Sequence, residues 1–236
     1  MSGHCSRVPT VSVVIVAAGR GERYGPSCKV LEMAGGRTLL DWSLDSATRT
    51  PGVREIIVVA GAHSETGIVE VVELRTDSVP IHVVLGGSRR QDSVIAGVNA
   101  VSDESEVVLV HDGARPLATG ETFAACALAA YEVGAAIVAS PVSDTLKRVD
   151  NGAIVGTVSR NGLWAAQTPQ GFRRSLLRAG LDLAADQHVE YTDEASMLEA
   201  LGHEVTVVAG SRQNIKVTVP EDLEIVDALL RLRRAS

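Results

Sequence analysis

The stretch VSVVIVAAGRGERYG (residues 11–25) joins an apolar run to a loop of small and basic residues, and it decides the fold class. Residues 11–17 are almost continuously apolar, which is typical of a strand buried on both faces of a parallel sheet. Similar runs occupy residues 55–60, 81–85, 106–111 and 135–140. Helical patterns separate them, over residues 38–49, 65–75, 89–101 and 121–133. The sequence therefore predicts an α/β fold with a mostly parallel twisted sheet flanked by helices.

The loop after the first run approaches a dinucleotide-binding fingerprint without matching it. Gly19 and Gly21 fit the pattern G-x-G-x-x-G, but the third glycine, Gly25, comes one residue late. No Gly-Lys-Ser/Thr follows at the spacing of a Walker-type phosphate loop. Backbone N–H groups beside the glycines can bind phosphate oxygens while Arg23 and Lys29 supply positive charge. The alternative is a solvated turn with ordinary surface cations.

Composition excludes several classes of protein. With 22 Lys and Arg against 29 Asp and Glu, the net charge is −7, which disfavours nucleic acid as a partner. The cysteines, Cys5, Cys28 and Cys126, show no C-x-x-C spacing, so neither a zinc site nor a disulfide framework is indicated. Residues 1–10 lack the apolar core of a signal peptide, and no segment approaches the ~20 apolar residues of a membrane span. We expect a cytoplasmic protein that does not bind membranes.

The second half of the chain departs from the alternating pattern. Residues 144–160 form two strand-like pieces around Asn151-Gly152, which predicts a β-hairpin. The chain then returns through AQTPQGF (166–172). Helical patterns follow near residues 173–184, from Thr192 and Asp193 onward, and over 220–232, with a strand pattern at 204–208. We expect one domain over residues 1–236, with the hairpin inserted at about 141–165.

Polar segments follow the predicted strands, where ligands of parallel sheets bind. Asp112 and Arg115 lie at the end of one strand; Asp112 suits a metal ion or a ribose hydroxyl, and Arg115 suits a phosphate. An ion pair between them that stabilises the loop is the alternative. Lys216 lies in an otherwise apolar strand pattern, so its ammonium must reach an anion or solvent. Arg160, at the base of the hairpin, could bind a second anion.

The sequence lacks a recognisable nucleophile for covalent catalysis. There is no Ser-His-Asp, Cys-His or paired-carboxylate arrangement, and His111 is expected to be a packed strand-terminal histidine. A nucleotide site rich in cations remains. Such a site suits transfer at phosphorus by positioning and charge neutralisation.

Motifs spread over nearly the whole chain resemble those of the 2-C-methyl-D-erythritol 4-phosphate cytidylyltransferase family of the non-mevalonate isoprenoid pathway. In order, they are AAGRGER (17–23), GGSRRQDSV (86–94), VLVHDGARP (108–116), DTLKRV (144–149), SRNGLWAAQTPQGF (159–172), TDEASMLEALG (192–202) and NIKVTVPEDL (214–223). The resemblance implies a Rossmann-like nucleotidyltransferase fold. It also implies a homodimer in which the protruding hairpin arm embraces the second subunit.

The resemblance further implies the reaction and its residues. A phosphate oxygen of methylerythritol phosphate would attack the α-phosphorus of CTP in line, with Mg²⁺ as cofactor, and expel pyrophosphate. The residues that would stabilise the charge are Arg23, Lys29 and Lys216. The nucleotide would lie against Ala17, Ala18, Gly19, Gly87, Ser93 and Asp112, and Asp112 would also hold the metal. The methylerythritol phosphate would be held by Arg115, Thr145, Arg160, Thr192 and Lys216, with Thr145 and Arg160 serving the partner's site.

Two other functions stay open at this point. A ribitol 5-phosphate cytidylyltransferase would share the fold and the chemistry. A noncatalytic nucleotide-binding protein would share the fold alone.

Overall fold

A seven-stranded sheet organises the structure, a computed structural model that describes residues 7–19, 24 and 28–235. The strands are β1 (Val11–Ala17), β2 (Met33–Ala34), β3 (Arg37–Thr38), β4 (Val53–Ala60), β5 (Ile81–Leu85), β6 (Val107–Asp112), β7 (Ala135–Pro141), β8 (Leu146–Asp150), β9 (Ala153–Val158), β10 (Trp164–Arg173) and β11 (Thr206–Ala209). The helices are α1 (Leu39–Thr48), α2 (Glu65–Glu73), α3 (Arg90–Asn99), α4 (Gly120–Val133), α5 (Arg174–Asp186), α6 (Glu194–Ala200) and α7 (Pro220–Ala235).

The central sheet has the order β11-β7-β10-β6-β1-β4-β5. The strands pair in parallel except β10, which is antiparallel to both of its neighbours. Each of the five predicted apolar strands forms, with bounds that agree to within two residues. The predicted α/β fold with a mostly parallel sheet is confirmed.

Side chains of β1 show why continuous apolar runs mark this sheet. Val11, Val13 and Ile15 belong to one buried cluster, which also contains residues of α1, α2 and α4. Val14 belongs to the cluster on the opposite face, with residues of α3, α5 and α6. Because helices cover both faces of the sheet, the residues that point to either face need apolar side chains.

The structure contains one strand that the sequence analysis did not predict, and one predicted strand does not form. The return segment 166–172 lies inside β10, between β6 and β7, although its glutamines, threonine and proline do not read as a central strand. Its ladder with β7 is interrupted between Ala166 and Gln170, where Pro169 has no N–H to donate. The segment around Lys216 is not a strand; among its backbone contacts, Val217 N donates to the carbonyl oxygen of Ala114 at 2.9 Å. The position of Lys216 is therefore set by a loop contact rather than by a sheet ladder.

The predicted hairpin is present as β8 and β9, which form a two-stranded antiparallel sheet of their own. Asn151 and Gly152 connect the strands with φ of 47° and 80°, the positive values that a tight hairpin turn requires. Val149, Ile154 and Val155 of this hairpin are exposed. The single-domain organisation and the role of the hairpin as a dimer arm stay predictions. In the described parts of the chain, no helix is long and apolar enough to span a bilayer.

Candidate active site

A cleft of about 210 Å³ opens at the carboxyl ends of β1, β5 and β6. It is lined by Val16, Ala17, Ala18, Gly19, Lys29, Val30, Gly87, Ser88, Arg89, Arg90, Ser93, Asp112, Ala114 and Lys216. The structure therefore brings together the loop after β1, the GGSRRQDS segment, the end of β6 and the NIKVT segment. All six residues expected to contact the nucleotide line this cleft, as do Lys29 and Lys216. Arg23 lies outside the described residues.

Among the described residues that line the cleft, Asp112 is the acidic one. It is the last residue of β6, and Nζ of Lys216 lies 2.7 Å from its Oδ2, with Nε of Arg115 at 3.6 Å. Burial alone would raise the pKa of Asp112, but Lys216, Arg90 and Arg115 together hold that pKa below its ordinary value. Asp112 is thus an ionised carboxylate with cations on several sides.

Arg115 donates hydrogen bonds to two backbone carbonyls. Its Nη1 donates to the carbonyl oxygen of Asn214 at 2.7 Å and its Nη2 to that of Ala166 at 3.4 Å. The guanidinium therefore connects the loop after β6 to β10 and to the segment that carries Lys216. Of the two roles considered for Arg115, these contacts support loop stabilisation, and its predicted contact with substrate stays a prediction.

The QTPQ motif of β10 explains why a central strand carries buried polar side chains. Thr168 Oγ1 accepts a hydrogen bond from the backbone N of Asp112 at 3.0 Å. Asn214 Nδ2 donates to the carbonyl oxygen of Thr168 at 2.9 Å and to Oε1 of Gln167 at 3.1 Å. Gln170 Nε2 donates to Oδ2 of Asp193, at the start of α6, at 2.9 Å. One strand thereby positions Asp112, the Lys216 segment and the TDEAS motif relative to one another.

Arg90 and Glu194 form a bidentate ion pair beside the cleft. Nη1 of Arg90 lies 2.7 Å from Oε1 of Glu194, and Nη2 lies 3.0 Å from Oε2. Burial lowers the pKa of Arg90, but Glu194, Asp112 and Asp193 raise it more, so the guanidinium stays charged. Sequence reasoning did not single out this pair. The second arginine of GGSRRQDS, Arg90, was the available signal, but its partner lies 104 positions away in the chain.

The remaining predicted substrate residues do not line the cleft. Thr192 is exposed before α6, with its Oγ1 3.2 Å from Oγ of Ser196. Thr145 is exposed just before β8. Arg160 donates to the carbonyl oxygen of Ser143 across the base of the hairpin. Thr145 and Arg160 thus belong to the arm rather than to the cleft of their own chain.

His111 is a packed histidine, as expected. Its Nδ1 lies 3.0 Å from Oγ1 of Thr168, and its ring packs at a tilt against Phe123 with centroids 4.7 Å apart. Burial is the main cause that lowers its pKa to about 3. His111 is therefore neutral at physiological pH.

The fold and the cleft define a nucleotidyltransferase of the α/β class: backbone and small side chains for a nucleotide, cations for phosphates, and the ionised carboxylate of Asp112. Residues 11–232 match the model of the IspD family, 2-C-methyl-D-erythritol 4-phosphate cytidylyltransferase. The chain belongs to this family.

Individual relatives agree with this assignment. A 2-C-methyl-D-erythritol 4-phosphate cytidylyltransferase of Gloeobacter violaceus is 40% identical over 222 residues, covering 93% of this chain and 95% of the relative. The solved 4-diphosphocytidyl-2C-methyl-D-erythritol synthase of Anaerococcus prevotii matches with a TM-score of 0.83 at 32% identity, covering 95% of this chain and 100% of the other. The cytidylyltransferase structure from Thermus thermophilus matches with a TM-score of 0.79 at 35% identity, covering 94% and 99%.

Proposed function

We propose that this protein transfers the cytidylyl group of CTP to 2-C-methyl-D-erythritol 4-phosphate, forming 4-diphosphocytidyl-2-C-methyl-D-erythritol and pyrophosphate. Membership of the family supports the reaction and both substrates. The structural observation that carries the proposal is the ion pair between Lys216 and Asp112. Both residues line the cleft that Ala17, Ala18 and Gly19 also line. The cleft therefore offers a cation for phosphate, a carboxylate for a metal ion, and backbone that a nucleotide can approach because the side chains there are small.

The chemistry requires positioning and charge neutralisation. A phosphate oxygen of the sugar phosphate forms a bond to the α-phosphorus of CTP while the bond from that phosphorus to the bridging oxygen breaks, and pyrophosphate takes the electron pair. Negative charge accumulates on the transferring group and on the leaving group. Lys29 and Lys216 line the cleft where that charge would develop, and Arg23 is expected to add to them. No covalent enzyme intermediate is needed.

Mg²⁺ is the proposed cofactor, and Asp112 is its proposed ligand. Within the described ranges, no group of three or more His, Cys, Asp or Glu side chains could hold a metal ion by itself. Mg²⁺ is commonly held by one or two carboxylates together with substrate phosphates, so a single ionised Asp112 in a nucleotide cleft fits. When bound, Mg²⁺ would neutralise charge on the triphosphate.

A homodimer that forms through the hairpin is part of the proposal. The exposed Val149, Ile154 and Val155 give the hairpin an apolar surface that a second subunit could cover. Thr145 and Arg160 lie beside the hairpin and do not line the cleft, which supports the proposal that they contact substrate in the partner's site. A cytoplasmic location is retained as a prediction from the sequence.

Pyrophosphate release tests the function. The purified protein is supplied with Mg²⁺, each of the four nucleoside triphosphates in turn, and either methylerythritol phosphate or ribitol 5-phosphate. We expect turnover with CTP and methylerythritol phosphate. A clear preference for ribitol 5-phosphate would identify the related cytidylyltransferase instead, and CTP binding without turnover at any Mg²⁺ concentration would identify a noncatalytic binding protein.

A further inference from the structure

Glu194 is a buried carboxylate whose ion-pair partner comes from another part of the chain. Its side chain is 4% exposed, and both of its oxygens accept hydrogen bonds from Arg90. A buried charge without a partner is unfavourable, so each member of this pair constrains the other. The pair joins the first residue of α6 to the first residue of α3.

Arg90 is the member of the pair that reaches the cleft. Its side chain is 32% exposed and lines the cleft beside Gly87 and Ser93. A guanidinium has five N–H donors, and Glu194 engages one on each terminal nitrogen. Donors therefore remain for an acceptor in the cleft, and their direction is fixed because the planar group is held at two points.

The element that carries Glu194 is itself anchored. Asp193 caps α6 through a hydrogen bond from Ser196 N at 2.8 Å, and its other oxygen accepts from Gln170 of β10. Gln91, next to Arg90, receives a hydrogen bond from the backbone N of Tyr191 at its Oε1, at 3.1 Å. The backbone beside Glu194 is therefore held by hydrogen bonds other than those to Arg90, so its carboxylate can anchor the guanidinium.

We propose that Glu194 is a positioning residue: its carboxylate holds the Arg90 guanidinium in the wall of the cleft, where Arg90 donates to a phosphate oxygen of the bound nucleotide. The inference rests on the proposed function for the identity of its ligand, a nucleoside triphosphate. It assigns a role to the glutamate of the TDEAS motif. It also connects α3, whose first residue lines the cleft, to α6, which follows Thr192.

Equilibrium binding of CTP in the presence of Mg²⁺ tests this proposal without depending on turnover. We expect Glu194→Gln and Arg90→Gln each to raise the Kd for CTP by about tenfold or more. Because Glu194 acts through Arg90, the double variant should match Arg90→Gln alone. In turnover assays, KM for CTP should rise more than kcat falls. Glu194→Asp and Arg90→Lys retain both charges but lose the bidentate geometry, so each should raise the Kd for CTP by less than the glutamine variants do. These two variants test the proposal if the glutamine variants fail to fold.

The matched control is Asp103→Asn, which breaks the Arg174–Asp103 ion pair at the opposite end of the sheet. It should leave the Kd for CTP unchanged. The proposal is overturned if Arg90→Gln binds CTP as the wild type does, if Glu194→Gln weakens binding further in the Arg90→Gln background, or if the wild type does not bind CTP. Absence of turnover by a wild type that binds CTP would instead contradict the proposed function and leave this inference standing.

Discussion

Nζ of Lys216 lies 2.7 Å from Oδ2 of Asp112, so the cation expected to meet substrate phosphate is paired with the carboxylate expected to hold the metal. The pair spans two segments, the end of β6 and a loop after β11. Its geometry depends on Asn214, two residues before Lys216, whose carbonyl oxygen and side chain are both engaged. The charges of the cleft are thus positioned by the buried polar network around β10.

Replacing Lys216 with methionine should lower turnover by about 10²- to 10³-fold, because a positioned charge that stabilises the transition state is removed. The measurement is kcat for pyrophosphate release at saturating substrates, with circular dichroism to verify the fold. Arg54→Gln is the control, since Arg54 pairs with Glu104 on the exposed surface at 3.0 Å. Turnover at the wild-type rate by Lys216→Met would remove Lys216 from the mechanism.

His111 should make the folded protein less stable as the pH falls. Its pKa is about 3 in the folded protein against 6.5 as the ordinary value, so the unfolded chain binds the extra proton first. Stability contributed by the neutral ring is fully present above pH 6.5 and is lost toward pH 3, by about 1.4 kcal/mol per pH unit. His111→Gln should reduce that slope, which urea unfolding between pH 7 and pH 4 measures. An unchanged slope would show that other groups cause the acid sensitivity.

The sequence predicted those parts of the fold that depend on local pattern. The five apolar strands and the Asn151-Gly152 turn could be read directly, because burial on both faces and a positive φ restrict the residues that fit. The position of β10 could not, because the QTPQ side chains are buried by pairing with Asp112, Asn214 and Asp193 from distant segments.

In the candidate site, too, local pattern predicted some residues, while contacts between distant segments hid others. Gly19 and Asp112, which lie at or just after strand ends, were found because the carboxyl ends of parallel strands meet at one edge, whereas Ser93, inside α3, was expected only from the family resemblance. The pairing of Arg90 with Glu194 depends on tertiary contacts between two helices, and no spacing in one sequence encodes it. The backbone contacts of Arg115 were missed for the same reason, because the carbonyls that it meets come from β10 and the 214 segment.

Thr168→Val should destabilise the protein by about 1–3 kcal/mol, because it leaves the buried backbone N–H of Asp112 without its hydrogen-bond acceptor. Thr168→Ser retains the hydroxyl and serves as the matched control. Chemical unfolding at pH 7 gives both values. A Thr168→Val variant as stable as the wild type would show that this hydrogen bond does not stabilise the fold.

Mixed dimers should show whether the arm serves the partner's site. Arg160→Ala and Lys216→Ala should each be nearly inactive alone. If Arg160 acts in trans, each mixed dimer contains one intact site, and random exchange of equal amounts should restore about a quarter of wild-type activity. The measurement is pyrophosphate release after the two variants are unfolded together and refolded. Mixing of two inactive variants without any gain would place Arg160 in the site of its own chain, and an active Arg160→Ala variant would exclude Arg160 from catalysis.

Gly19→Ala should separate the needs of the ligand from the needs of the fold. No described atom lies within 4 Å of a Cβ built on Gly19, so the folded structure should accept alanine, and the melting temperature should stay unchanged. If Gly19 is small so that phosphate can approach the backbone closely, the methyl group should raise KM for CTP by about tenfold. Gly97→Ala is the contrasting variant: its Cβ would collide with Val14 and Val59 beneath α3, so it should lose stability without touching the cleft. Wild-type KM in a fully folded Gly19→Ala would show that close approach at this glycine is not required, and the loop's contribution would then rest on its charges alone.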